Sequence, residues 1–64
     1  RRVVSDLFRF FLEEPECLPT EWRQRSGLPG SSETAQLVGD YVAGMTDLYA
    51  LDEHAKIFDS KVKL

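Results

Sequence analysis

Apolar residues along this chain recur at helical rather than strand period. Val3, Val4, Leu7, Phe8, Phe11 and Leu12 stand three and four apart, which gathers them on one side of a helix. The spacing predicts a helix over residues 3–14. Pro15 ends it, because the proline ring disfavours helical geometry in the residue before it and its nitrogen carries no proton. Cys17 and Leu18 then cross to Pro19. The run PTEW at 19–22 opens a second helix of about two turns at most, with Thr20 as N-cap or Pro19 in the first turn and Glu21 at the positive end of the dipole. The stretch RSGLPGSS, with two glycines, a proline and three serines, is a loop by its turn chemistry.

Ser31 or Ser32 caps the main helix. The capping box is partial, since Thr34 and Ala35 stand where an acid would close it, although Glu33 lies in the first turn. From there Ala35, Val38, Val42, Met45 and Tyr49 recur at three and four, flanked by Leu37, Tyr41 and Leu48. This predicts one continuous helix with a wide buried face. A last helix over residues 52–59, capped by Asp52, sets Leu51, Ala55 and Phe58 inward, and residues 60–64 read as a frayed tail. The fold class is therefore all-α, a small bundle of three to four helices in a single unit, 1–64.

On the main helix Gln36, Asp40, Gly44 and Asp47 follow one strip, spaced four, four and three. A glycine inside a helix costs about 1 kcal/mol against alanine, so Gly44 between two acids implies a close neighbour. Gly39 with Ala35 and Ala43 makes a second strip of small side chains. Two readings follow. The helix is central and the small residues are packing notches, or Asp40 and Asp47 orient a ligand or a catalytic neighbour.

The chain has 64 residues, and a domain near that size buries only about 60% of the surface its unfolded form exposes. Disulfides, metals or partners commonly supplement so small a core. Cys17 is the only cysteine and His54 the only histidine, which leaves a partner surface as the expectation. The first residues read as a helix in progress, not a leader, so the chain reads as a piece of a longer protein. No apolar run approaches a membrane span, and a cytoplasmic protein is expected. A formal net charge of −3 with interleaved signs offers no basic stripe for nucleic acid.

Single residues add little chemistry. Asp40, Asp47 and His54 are spaced seven and seven, or about 10.5 Å per step along a helix, too far for ligand bonds of about 2 Å to gather on one ion. An interruption near Leu51–Asp52 would separate His54 further. Trp22 is placed at the edge of the core. Cys17 has Glu14 and Glu16 nearby, which raise a thiol pKa. His54 reads as a surface or interface residue. Arg23 and Arg25 precede the glycine loop, within reach of a phosphate or of acids such as Glu21.

The run VGDYVAGMTDLYALDEHAKIF, with VVSDLFRFFLEEPECLPTEW upstream, resembles the C-terminal region of deoxyguanosinetriphosphate triphosphohydrolase-like proteins of the HD superfamily. The likeness spans nearly all of residues 2–58. Asp40, Tyr41, Ala43, Gly44, Met45, Thr46, Asp47, Tyr49 and Ala50 match the family's segment in order. Gln36 and Leu48 depart from it, since family members often carry arginine at both positions.

The resemblance implies an all-helical parent enzyme that hydrolyses a deoxynucleoside triphosphate to deoxynucleoside and triphosphate. A divalent metal (Mg, Mn or similar) would be held there by a histidine and aspartate set. None of that set is in this chain: His54 is followed by Ala55, and no catalytic or metal-ligating residue is assigned here. The piece is expected to be inactive alone, to pack on the parent's HD bundle, to support the substrate pocket through Asp40, Tyr41, Gly44, Met45, Thr46, Asp47 and Tyr49, and to join the contacts of a homo-oligomer. The alternative is an independent helical interaction or dimerisation module.

Overall fold

A computed structural model of the chain describes residues 2–59; the expected fraying at 60–64 lies outside them. Helix α1 spans Arg2–Glu13 and is followed by a 3₁₀ turn at Pro15–Cys17. Helix α2 is Thr20–Arg23, α3 is Ser32–Ala43 and α4 is Asp47–Phe58. The described residues are helical and contain no strand, as the apolar period implies.

The central helix is α1, with α3 and α4 both packed against it. Leu7 and Phe11 are buried on α1, and they meet Leu37, Val38, Tyr41 and Val42 from α3 and Ala50 from α4. Leu18, just past the 3₁₀ turn, closes one end of this core. Burial of such aliphatic and aromatic side chains is worth about 1.5–3 kcal/mol each, which is what holds three short helices together. Val4 is the exception on the apolar side of α1, and it remains 53% exposed.

Polar anchors fix the loop before α3. Ser31 caps α3, its hydroxyl oxygen accepting from the Thr34 amide at 3.2 Å. Thr34 is fully buried, and its own hydroxyl oxygen accepts from the Gly27 amide at 2.9 Å and from the Ser31 hydroxyl at 3.1 Å. A threonine thus stands where the fuller capping box would carry an acid, and it serves the loop instead of the Ser31 amide. The Gly30 amide donates to the Leu12 carbonyl at 3.0 Å, tying this loop to the end of α1. Gly30 has φ +75°, a left-handed conformation that glycine adopts without steric cost.

The continuous helix expected through Gly44 is instead two helices. Gly44 is the C-cap of α3, with φ −84° and ψ −3°, and its amide donates to the Tyr41 carbonyl at 3.3 Å. Thr46 turns extended, and its hydroxyl oxygen accepts from the Tyr49 amide at 3.1 Å to cap α4. Asp47 then sits in the first turn, where a carboxylate is favoured by the helix dipole. Capping and dipole together outweigh the continuity of the apolar pattern. Three expectations fall with the break. Asp47 leaves the strip of Gln36, Asp40 and Gly44; Leu48 and Tyr49 are exposed at 79% and 44%; and α4 begins at Asp47, not near Asp52. Asp52 lies inside α4 and pairs with Lys56 at 3.5 Å, while Ala50 is buried and Leu51 remains 47% exposed.

At Gly44 an added Cβ would meet only the Asp40 and Tyr41 carbonyl oxygens, both at 3.7 Å, so the chain's own packing does not require glycine there. Gly44→Ala is expected to stabilise the chain by about 0.4–1 kcal/mol through the unfolded state, whereas Gly30→Ala should cost about 1 kcal/mol or more because alanine is strained at positive φ. Urea denaturation followed by circular dichroism measures both; a loss of stability at Gly44 would contradict this account of the corner.

Candidate functional site

The motif residues form the corner between α3 and α4. Asp40 is exposed on the last turn of α3, and Tyr41 beside it is buried. Gly44 ends α3, Met45 is half-buried against the core, Thr46 caps α4, Asp47 opens it, and Tyr49 follows one turn on. The corner is thus a structural device in which most motif positions have a local reason. Asp40 and Asp47 are both exposed and belong to no ion pair among the described residues.

Aromatic contacts tie the corner to every other helix. The Tyr41 ring meets Phe11 edge-on at 5.5 Å and Trp22 at 5.1 Å. Trp22 covers the edge of the core as its position suggested, and the Arg25 guanidinium lies 5.1 Å from its ring centroid, within the range of a cation–π contact. Burial first, and the neighbouring Tyr49 hydroxyl second, push the Tyr41 phenol far above its usual range, so Tyr41 stays protonated at any physiological pH.

Two hollows flank Val4. One, of about 440 Å³, lies between α1 and α3 and is lined by Val4, Ser5, Phe8, Gly39, Val42 and Ala43. The other, of about 230 Å³, lies between α1 and α4, with Val3, Val4, Asp47, Ala50 and Leu51 as its walls. Gly39 of the small-residue strip therefore faces α1, its nearest neighbour being Phe8 Cε1 at 3.9 Å from an added Cβ.

With this geometry in hand, comparison with known proteins is direct. Residues 1–56 match the family described as the phosphohydrolase-associated domain. The chain belongs to that family. It is 45% identical over 62 residues to a deoxyguanosinetriphosphate triphosphohydrolase-like protein of Caulobacter sp. (strain K31), covering 97% of this chain and 16% of the relative. It is 52% identical over 56 residues to a protein of the same description from Cereibacter sphaeroides (strain ATCC 17025 / ATH 2.4.3), covering 86% of this chain and 15% of that relative. The chain thus spans about a sixth of the length of such relatives. No solved structure matches it.

Among the described residues no three histidine, cysteine, aspartate or glutamate side chains group as metal ligands. Asp40 and Asp47 sit on different helices, and His54 lies two turns beyond Asp47 on α4 with no interruption at Leu51–Asp52. The Cys17 thiol is pushed up, by partial desolvation first and by the charges of Glu16 and Glu14 after it, so the direction expected from its acidic neighbours holds, with desolvation as the larger cause.

His54 has a partner that the linear sequence did not reveal. Its Nε2 lies 2.9 Å from Asp6 Oδ2, joining α4 to α1 across 48 residues, and its ring stacks on Phe58 at 4.5 Å. An ionised carboxylate only accepts, so Nε2 carries the proton. That hydrogen bond holds the Asp6 carboxyl below its usual range; burial opposes it, and Arg2 and Arg9 add to it. Because the folded-state pKa lies below the unfolded one, the stabilisation is present above the ordinary carboxylate range and is lost as pH falls through the folded value. Asp6→Asn should therefore lower the melting temperature at neutral pH, and the gap to the unmodified chain should close as pH drops below that range. A gap that is the same at every pH in a series of thermal melts would refute this assignment.

Proposed function

We propose that this domain is the C-terminal supporting part of a metal-dependent HD-type phosphohydrolase that converts a deoxynucleoside triphosphate, dGTP or one like it, to deoxynucleoside and triphosphate. The observation that carries the reading is the 45% identity across 97% of the chain to a relative described as a deoxyguanosinetriphosphate triphosphohydrolase-like protein. In this reading the catalytic groups and the divalent metal belong to the part of the parent outside these 64 residues. The residues described here do not fit such an ion: no ligand cluster forms among them, and the Nε2 of the sole histidine is engaged by Asp6. The domain's work is mechanical. The α3–α4 corner, with Asp40, Tyr41, Gly44, Met45, Thr46, Asp47 and Tyr49, packs on the HD bundle, keeps the substrate pocket in shape and contributes to homo-oligomer contacts. A cytoplasmic enzyme is the setting that suits the proposed nucleotide substrate.

Exposure of Val4, Leu48, Tyr49 and Leu51 favours a second reading, a helical module that binds an unrelated protein. The two readings part in one experiment. The purified parent, given Mg²⁺ or Mn²⁺, is expected to release deoxynucleoside and intact triphosphate from a dNTP, resolved by anion-exchange chromatography, while the 64-residue chain alone releases neither. Release of orthophosphate or diphosphate in place of triphosphate, or turnover by the chain alone, would overturn the proposal.

A further inference from the structure

Resting on that reading, we infer that the two hollows flanking Val4 are one continuous docking face, and that its occupant is an apolar helix from the remaining part of the same polypeptide, with basic residues at its margins. The hollows share Val4 as a common wall, and Val4 is 53% exposed. Leu51, 47% exposed, lines the smaller hollow and continues the face onto α4. A run of exposed aliphatic side chains along two elements is the kind of surface that a single helix covers at i, i+3, i+4 and i+7.

Gly39 supports a close approach. Inside a helix it costs about 1 kcal/mol against alanine, yet α1 does not impose it, since an added Cβ would meet Phe8 only at an ordinary 3.9 Å. The missing side chain instead opens the floor of the larger hollow, where Ala43 is also exposed. Helix axes pack about 8–10 Å apart, at the short end when the contacting residues are small.

Chain length and charge select the occupant. The aligned relatives carry more than five-sixths of their length outside this domain, so a covering segment is at hand in the same polypeptide at high effective concentration. Asp47 lines the smaller hollow. Asp40, one residue beyond Gly39, stands about 100° round α3 from it, on the flank of the larger one. Two exposed carboxylates outside any ion pair among the described residues call for lysine or arginine on the helix that covers them.

The test is cysteine labelling in the full-length parent. In a Cys17→Ser background, Val4→Cys and Ala43→Cys probe the face, and Glu21→Cys, exposed on α2, is the reference; maleimide incorporation is followed peptide by peptide in a mass spectrometer. Both probe positions are exposed in the domain itself, so cysteine is tolerated, and hydrogen exchange over residues 35–46 of the unmodified parent repeats the measurement without mutation. The docked face predicts labelling at 4 and 43 at least about tenfold slower than at 21, unchanged by dilution, because reaction then waits on local opening. Equal rates at all three positions would overturn the inference. Protection lost on dilution would overturn it too, by giving the face to a second copy. No substrate is involved, so failure of the nucleotide reading would leave this result unaffected.

Discussion

Adjacent phenylalanines on α1 make this fold possible. Phe10 and Phe11 are about 100° apart around the helix, so one can serve α4 while the other serves α3. Phe11 is 2% exposed and meets Tyr41; Phe10 meets Phe58 edge-on at 6.0 Å; and the two rings touch each other at 5.2 Å. Trp22 extends the chain of rings to α2 and His54 extends it along α4. Each such pair contributes about 0.5–1.5 kcal/mol beyond its area. With eight buried hydrophobic residues among those described, that increment is a large share of the whole.

Serving both neighbours from α1 forces the chain to reverse between α3 and α4. A straight helix from Ser32 to Phe58 would run about 40 Å at 1.5 Å per residue and could not fold back on α1. The reversal takes Gly44, Met45 and Thr46, and both ends are hydrogen-bonded within it: the Gly44 and Met45 amides return to the Tyr41 and Val42 carbonyls, and Thr46 receives the Tyr49 amide. A corner with its own hydrogen bonds needs no outside partner to exist. What it does leave outside is Leu48 and Tyr49, which a straight helix would have carried inward.

The sequence made much of this legible where cause and effect are local. Pro15 as a stop, Ser31 as a cap, the amphipathic α1 and the loop at 25–31 all act within a turn or two of themselves, and the motif pointed to the right family. The corner was missed because the spacing of Val38, Val42, Met45 and Tyr49 runs through it unbroken, so periodicity masked a glycine followed by a Thr–Asp cap signal. The Asp6–His54 pair and the double role of Phe10 depend on contacts across some 48 residues, and no local pattern reports such a distance. As for the motif residues, periodicity set them along one helix, and the structure sets them around a corner between two. Asp40 and Asp47 lie on separate helices, and Tyr41, which carried no particular weight in the spacing, is the buried centre of the corner.

The distribution of polar groups bears on the proposed role as a supporting part. Its buried side-chain polar atoms are all hydrogen-bonded among the described residues, with Thr34 the fully buried case, so the interior is chemically complete. The incompleteness is on the outside, where aliphatic side chains remain in water on α1 and α4. Complete interior polarity gives the domain its shape without help, while exposed apolar area withholds part of the hydrophobic stabilisation until something covers it. Any surface that binds this face stabilises the folded form by mass action. The hydrogen bonds of the described residues thus close on themselves, while a partner on the exposed aliphatic face would add stability, which suits the proposed work of bracing a neighbouring catalytic body.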